Sequence, residues 1–334
     1  MRWLTRRILQ GFITIIAVIT ISFALIRLMP GGPLDYLRGV LIQQGLDAAT
    51  VDARLENYTS FQQDAPIYIQ YIEYVTSILT GDLGESYWYG EPVSELLFER
   101  LPWTVFVSTW ALVISFVINV LLGALMAYRE GSRFDTSFTL LSVVSTSVPF
   151  YVAALVFIWL FVVQFSVFPG GGHASRDLEA AFSLTYLVSV VRHATLPIFS
   201  AVIIGLGGGA LVMRGNSIRV LGSDYIRVAR LRGLSERTIA FGYVGRNAIL
   251  PMYTNLVLGI AGILGGSIIL EQIFTYPGVG LLVFTAVEAR DYPLLMGAFL
   301  LFTVVTVIML FVADLTYSKL DPRADLGGEN SEAY

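Results

Sequence analysis

Residues 222–251 read GSDYIRVARLRGLSERTIAFGYVGRNAILP, a polar, basic segment set between strongly apolar stretches. Arg227, Arg230, Arg232, Arg237 and Arg246 stand here against only Asp224 and Glu236. A chain that crosses a membrane keeps such a segment on the cytoplasmic side, where basic residues are retained. Asp224 is placed to cap a helix, Tyr225 to Leu231 contains no glycine or proline, and Gly233 suits the position just past a helix end. A second start follows at Ser235, with Glu236 in its first turn. Ile239, Tyr243 and Val244 then share a face before Pro251 opens the next apolar span. The spacing predicts two short helices joined at a glycine, which together make a rigid knob.

Outward from this loop the chain is apolar. Of 334 residues 55% are hydrophobic and 14% charged, with a mean hydropathy of +0.71. A water-soluble domain has no means of hiding that much apolar surface, so the chain reads as an integral membrane protein. The absence of cysteine excludes disulfides, thiolate catalysis and cysteine-ligated metal. Net charge is −4, and Lys319 is the one lysine among 21 basic residues. That bias suits a high-salt environment, and it suits ordinary compositional drift equally.

The first apolar span, Leu9 to Met29, has about 20 residues, enough at about 1.5 Å each to cross a hydrocarbon core of roughly 30 Å. Arg2, Arg6 and Arg7 before it hold the N-terminus in the cytoplasm. Arg6-Arg7 is not read as a secretion signal, because the span is too long and no small-residue cleavage site follows. Pro30 to Pro33 stops the helix. Eleven acids then lie between Asp35 and Glu99 against Arg38 and Arg54, which puts this loop outside. Within it Val51, Leu55 and Tyr58 recur at helical spacing. Pro66 opens another helix whose Ile67, Tyr71, Tyr74 and Ile78 line one side up to Gly81. Tyr87, Trp88 and Tyr89 read as headgroup-level anchors in preference to substrate contacts.

Trp103 to Tyr128 is the second span, with Asn119 inside it and Arg129 and Arg133 after it. The third lies within 138–167, where Ser142, Ser145, Thr146 and Ser147 form a polar stripe ahead of Pro149, which predicts a kink. In a transporter that stripe lines the path; in a plain bundle small hydroxyls let helices approach closely. Both readings stay open. His173 and His193 are about 20 residues apart and offer no ligand spacing, so no metal site is expected. Thr195 to Val212 is the fourth span. Its Gly205, Gly207, Gly208 and Gly209 have no Gly-Lys-Ser/Thr after them and read as packing glycines, leaving the chain without an ATP motif. Leu250 to Leu270, with Asn255, is the fifth span and Leu294 to Val312 the sixth, with both chain ends inside.

Residues 224–251 resemble the EAA loop of ABC importer permeases, and the Gly233-to-Pro251 spacing is similar to the dipeptide/oligopeptide/nickel subgroup, B-type. Arg227 and Val228 replace the first two residues of that loop's name, and Ala229 is kept. The likeness runs in order through RRILQGF, ERLPWT, the Pro149 helix, HATLP, YPGVG, ARDYP and DPR. It implies an all-α polytopic membrane protein with six transmembrane helices, the transmembrane domain of a type I ABC importer. Its parts would be a tail and first helix (1–30), an extracytoplasmic loop (31–102), a permease core (103–318, coupling loop 214–249) and a cytoplasmic tail (319–334).

The resemblance also implies a transport subunit without catalytic residues, working in the cell membrane. Its partners would be a second homologous permease, two ATP-binding subunits and an external solute-binding protein, with no nucleic acid involved. No cofactor would be held by this chain; ATP and Mg would act on the partner subunits. Coupling to the ATPase falls to Asp224, Tyr225, Arg227, Ala229, Gly233, Leu234 and Arg237, and the translocation path to Asn119, Ser142, Ser145, Thr146, Ser147 and Asn255. Di- and oligopeptides are the expected cargo, with nickel chelates or oligosaccharides as alternatives. A membrane-embedded enzyme would need ionisable groups gathered within the spans, and a secondary carrier paired charges near the midplane. The sequence displays neither.

Overall fold

The computed structural model describes residues 2–27, 38–39, 41–42, 45–52, 65–178, 183–263 and 268–320. Among these residues the chain is helical, with one isolated antiparallel bridge between Glu85 and Pro92. The main helices are α1 (Arg2–Arg27), α2 (Ile67–Thr80), α3 (Val93–Tyr128), α4 (Arg133–Ser147), α5 (Phe150–Ile158), α6 (Leu184–Leu221), α7 (Asp224–Leu231), α8 (Arg246–Ala261), α9 (Ile268–Ile273), α10 (Val279–Glu288) and α11 (Tyr292–Leu320). The expected helix stop at Pro30–Pro33, the continuation past Val51 to Leu55 and Tyr58, and the tail after Leu320 lie outside the described residues.

Four described helices are long and apolar enough to cross a membrane: α1, α3, α6 and α11. A fifth span exists if α4 and α5, bent by 97° at their junction, count as one. Pro149 produces that bend: it stands at the start of α5 with φ −57° and ψ 134°, and Val148 before it is extended, as a residue preceding proline prefers. Within the span expected over Leu250 to Leu270, α8 ends at Ala261 with Gly262 after it, and residues 264–267 lie outside the described residues. Two other spans begin earlier than expected. α3 starts at Val93 and carries Pro102 inside it. α6 starts at Leu184, where Ser183 Oγ accepts the Tyr186 N–H at 3.2 Å. At 38 residues α6 is about 57 Å long, well beyond the hydrocarbon thickness, so its ends stand in the headgroups or in water.

The chain forms two compact units. The first is Met1–Thr104 with Pro277–Phe311. Its core gathers Val93, Leu96, Leu97, Val279, Leu282, Val283, Leu294 and Ala298, all buried. Gly297 is held tightly here, since a Cβ would overlap Val93 and crowd Leu83 and Leu97. Asp291 is fully buried and fixes the loop: it accepts from the Ser86 hydroxyl, from Trp88 N–H at 3.0 Å and from Leu294 N–H at 3.2 Å. Ser86 of the first loop and Asp291 of the ARDYP motif, 205 residues apart, are thereby joined. Burial, reinforced by the Asp291 charge, pushes the Tyr87 phenol up to about 12, while Trp88 is exposed.

The second unit is Val105–Tyr276 with Val312–Tyr334. Its centre is α6, whose glycines admit neighbours at backbone distance. A Cβ on Gly207 would overlap the Ser142 carbonyl of α4, and one on Gly209 would overlap the Asn119 amide of α3. The reverse holds at Gly123 of α3, which lies against Ala210 and Met213 of α6. Small residues here permit close packing without a hydrophobic drive, which lipid does not supply.

Candidate functional site

The N-cap of α7 lies one residue before the expected one. Ser223, extended at φ −79° and ψ 149°, is the N-cap, and Asp224 occupies the first turn. There its carboxylate meets the positive helix end without needing to cap it. The Ser223 hydroxyl donates back to the Val220 carbonyl at 2.5 Å. The other end matches the expectation from Gly233, which sits at φ +70°, a backbone state costly for residues with a Cβ. Gly233 N–H donates to the Arg230 carbonyl at 2.9 Å and Leu234 N–H to the Ala229 carbonyl at 3.2 Å. This is the paired C-terminal closure that satisfies carbonyls left open by the last turn.

The second start also stands where the spacing placed it, with Ser235 Oγ accepting the Thr238 N–H at 3.2 Å. The expectation of two short helices does not hold beyond that point. From Glu236 the chain runs through a wide π turn, Ile239–Gly245, straight into α8, and Pro251 lies inside α8 instead of opening a span. The strong start at Ser235 makes the helix continuous, and a membrane helix tolerates the one N–H that Pro251 removes. The knob is therefore one short capped helix hinged by a glycine onto one long helix.

A buried cluster holds the knob down. Ile226 and Ala229 on α7 meet Met213, Ile239, Val244, Ala248 and Met252, with Leu234 and Tyr243 half-buried against them. Full burial of an isoleucine contributes roughly 2 to 3 kcal/mol, so Ile226 and Ile239 are principal anchors. Ala229 and Leu234 of the expected coupling set thus lie beneath the knob, while Asp224, Tyr225, Arg227, Gly233 and Arg237 are on its outside. Three apolar side chains join them there. Leu231 and Phe241 are 80% and 78% exposed, and Val228 is exposed between the arginines. Sequence reading passed over these three because it followed charge; the apolar tip becomes evident once Ile226 and Ala229 are known to face inward.

Two polar ties stiffen the base. The Tyr128 hydroxyl at the end of α3 donates to Glu236 Oε2 at 2.9 Å, and Arg230 lies 3.8 Å from the same carboxylate. Arg214 near the end of α6 grips Asp135 of α4 with two bonds, Nε to Oδ1 at 2.6 Å and NH2 to Oδ2 at 2.7 Å. Asp135 also accepts the Gly131 N–H at 3.0 Å, its own N–H bonds Ser132 Oγ, and its side chain is only 4% exposed. The sequence analysis missed Asp135. Its signal was Ser132 three residues ahead, the spacing of a reciprocal helix cap.

The residues expected along a path fall into two groups. Asn119 and Ser142 are buried, with Asn119 Nδ2 donating to the Gly205 carbonyl at 3.2 Å. Ser145 donates to the Ile203 carbonyl at 3.0 Å, so these three are taken up in the contact with α6. Thr146, Ser147 and Asn255 are exposed. A cavity of about 320 Å³ lies among Leu112, Ser115, Phe150, Ile204, Gly259 and Leu270, and none of the six lines it.

A family model for the binding-protein-dependent transport system inner membrane component matches residues 119–326. A putative peptide permease protein of Brucella suis biovar 1 (strain 1330) is 33% identical over 330 residues, covering 97% of this chain and 98% of that protein. The dipeptide transport system permease protein DppB of Bacillus subtilis (strain 168) is 32% identical over 326 residues, 97% and 98% of the two chains. The oligopeptide transport system permease protein AppB of the same strain is 31% identical over 324 residues, 97% and 99%.

Proposed function

The chain belongs to the family of binding-protein-dependent transport system inner membrane components, and from that premise we propose that it is the permease subunit of an ATP-driven importer of di- and oligopeptides. It sits in the inner membrane, crosses it six times with both ends in the cytoplasm, and contributes half of the translocation path. Residues 103–318 form its permease core. A second homologous permease, two ATP-binding subunits and an external solute-binding protein complete the assembly, and ATP and Mg act on the ATPase subunits. The peptide cargo is supported by relatives named for dipeptide and oligopeptide transport that align over nearly the whole chain.

The observation that carries the coupling reading is the form of the knob: a helix of eight residues, closed at its C-terminal end by Gly233 and exposed on one face. Leu231 and Phe241, exposed in the same segment as the exposed Arg227, Arg230 and Arg237, suit a groove on an acidic or mixed partner. ATP draws two ATPase subunits together, and two knobs seated in them approach each other. Because the knob is rooted in α8 through the Ile226 cluster and in α6 through a short turn, both helices tilt with it and the path opens outward. Hydrolysis reverses the tilt. Such coupling requires a stiff connector whose contacts differ between two states.

The test is purification of this chain from its native membrane in mild detergent. Co-elution of a second permease and two ATPase subunits, with ATP turnover raised by the solute-binding protein and its peptide, is the expected outcome. A chain that elutes alone and moves solute in liposomes without ATP would overturn the reading.

A further inference from the structure

Helix α2 lies in a loop whose eleven acids place it in water, yet its own sequence IYIQYIEYVTSILT holds one charged residue, Glu73. It has two apolar faces. One is turned to α1: the Tyr71 hydroxyl lies 2.7 Å from Thr20 Oγ1, and Phe23 packs against Tyr71 and Tyr74 with ring centroids 5.3 and 5.6 Å apart. The other carries Tyr68, Ile72 and Leu79 at helical spacing, and Ile72 and Leu79 are 60% and 76% exposed. Glu73 lies about 100° around the helix from Ile72, off that stripe.

The contact with α1 sets the depth. Counting from Leu9, Phe23 is about 21 Å along α1, so it lies about 9 Å below the outer edge of a hydrocarbon core of roughly 30 Å. A helix touching Phe23 and Thr20 is at the same level. Neighbouring exposed side chains of α1, Ile21 and Leu25, are apolar as well, so the stripe on α2 continues a surface that faces acyl chains. Hydroxyl groups on α2 avoid the need for water. Thr76 donates to the Ile72 carbonyl at 2.6 Å and Thr80 to the Ser77 carbonyl at 2.9 Å, just as Thr14 and Thr20 of α1 donate to carbonyls in their own helix. At 14 residues α2 is about 21 Å long, too short to span. Its left-handed end at Gly81 and the acids Asp82 and Glu85 beyond it mark the return to water.

We infer that α2 is an amphipathic helix embedded in the outer leaflet beside α1, with Tyr68, Ile72 and Leu79 against lipid acyl chains. This depth matches the roughly 5 to 10 Å at which interfacial helices rest. The inference depends on the membrane placement of α1 and is independent of cargo and coupling. A lipid-seated α2 would hold the mouth loop carrying Trp88 at a fixed height.

The chain has no cysteine, so Ile72→Cys and Leu79→Cys each accept one nitroxide label in the assembled complex reconstituted into phosphatidylethanolamine/phosphatidylglycerol vesicles. Collision rates with oxygen, which concentrates in lipid, and with an aqueous nickel chelate are compared with Ile21→Cys in α1 and Glu85→Cys in the loop. The expected result is oxygen contact exceeding chelate contact several-fold at 72 and 79, as at 21, with the reverse at 85. Predominant chelate contact at 72 and 79 would overturn the inference. So would shielding from both probes, or a fall in oxygen contact on adding the solute-binding protein, since either makes a protein the occupant.

Discussion

Gly233 shows how a single residue separates fold from function at the knob. Its φ of +70° asks for glycine, yet a Cβ there would meet nothing within 4 Å of the chain itself. The cost of substitution is therefore conformational, about 1 to 2 kcal/mol, plus whatever a docked partner imposes. Gly233→Asn, which tolerates this backbone state, is expected to keep most uptake. Gly233→Val should abolish uptake while membrane insertion, followed by fractionation, stays normal; wild-type uptake by the valine variant would remove Gly233 from the coupling set. The exposed tip makes a complementary case. Leu231→Asp and Phe241→Asp alter no packing within the chain and should leave thermal stability unchanged. If each side chain anchors the interface with about 2 kcal/mol, ATPase subunit binding should weaken about 30-fold, measured by titrating purified ATPase subunits onto the solubilised permease.

Backbone proximity and an ion pair fix α4 to α6. Asp135 and Arg214 join α4 to α6 just ahead of the knob. Asp135→Ala leaves the Arg214 guanidinium, 26% exposed, without its carboxylate and should cost about 1.5 to 3 kcal/mol, whereas Asp135→Leu combined with Arg214→Met removes both charges and should recover much of that loss. Thermal unfolding in detergent reads both, and equal destabilisation by the single and double variants would contradict a mutually dependent pair. Gly207 reports the backbone contact of the same two helices. Gly207→Ala must push the Ser142 carbonyl aside, and an overpacking cost of about 1 to 3 kcal/mol is expected on the same measurement. The glycines were legible in the sequence as packing residues, and the serines were open between path and packing. In the folded chain the Ser142 carbonyl lies against Gly207 and Ser145 donates to the Ile203 carbonyl, so both contact α6.

For the whole molecule the testable statement is topology. If the chain crosses six times as proposed, single cysteines placed at Thr5 and at Ser331 should react with an impermeant maleimide only after the membrane is breached, and one at Glu85 should react at once in cells stripped of any outer envelope. Labelling of Thr5→Cys and Glu85→Cys from the same side would refute the arrangement. The sequence by itself determined the membrane class, the glycine that ends α7, the cap at Ser235 and the bend at Pro149. Each of these follows from composition or from covalent backbone limits within a few residues. Only the tertiary structure decided which face of α7 is left for a partner, that Asp135 belongs to Arg214 and Asp291 to Ser86, and that α2 packs on α1. Those depend on groups far apart in the chain, whose side chains acquire a burial and a partner only when distant helices approach, and no local pattern of residues carries that distance.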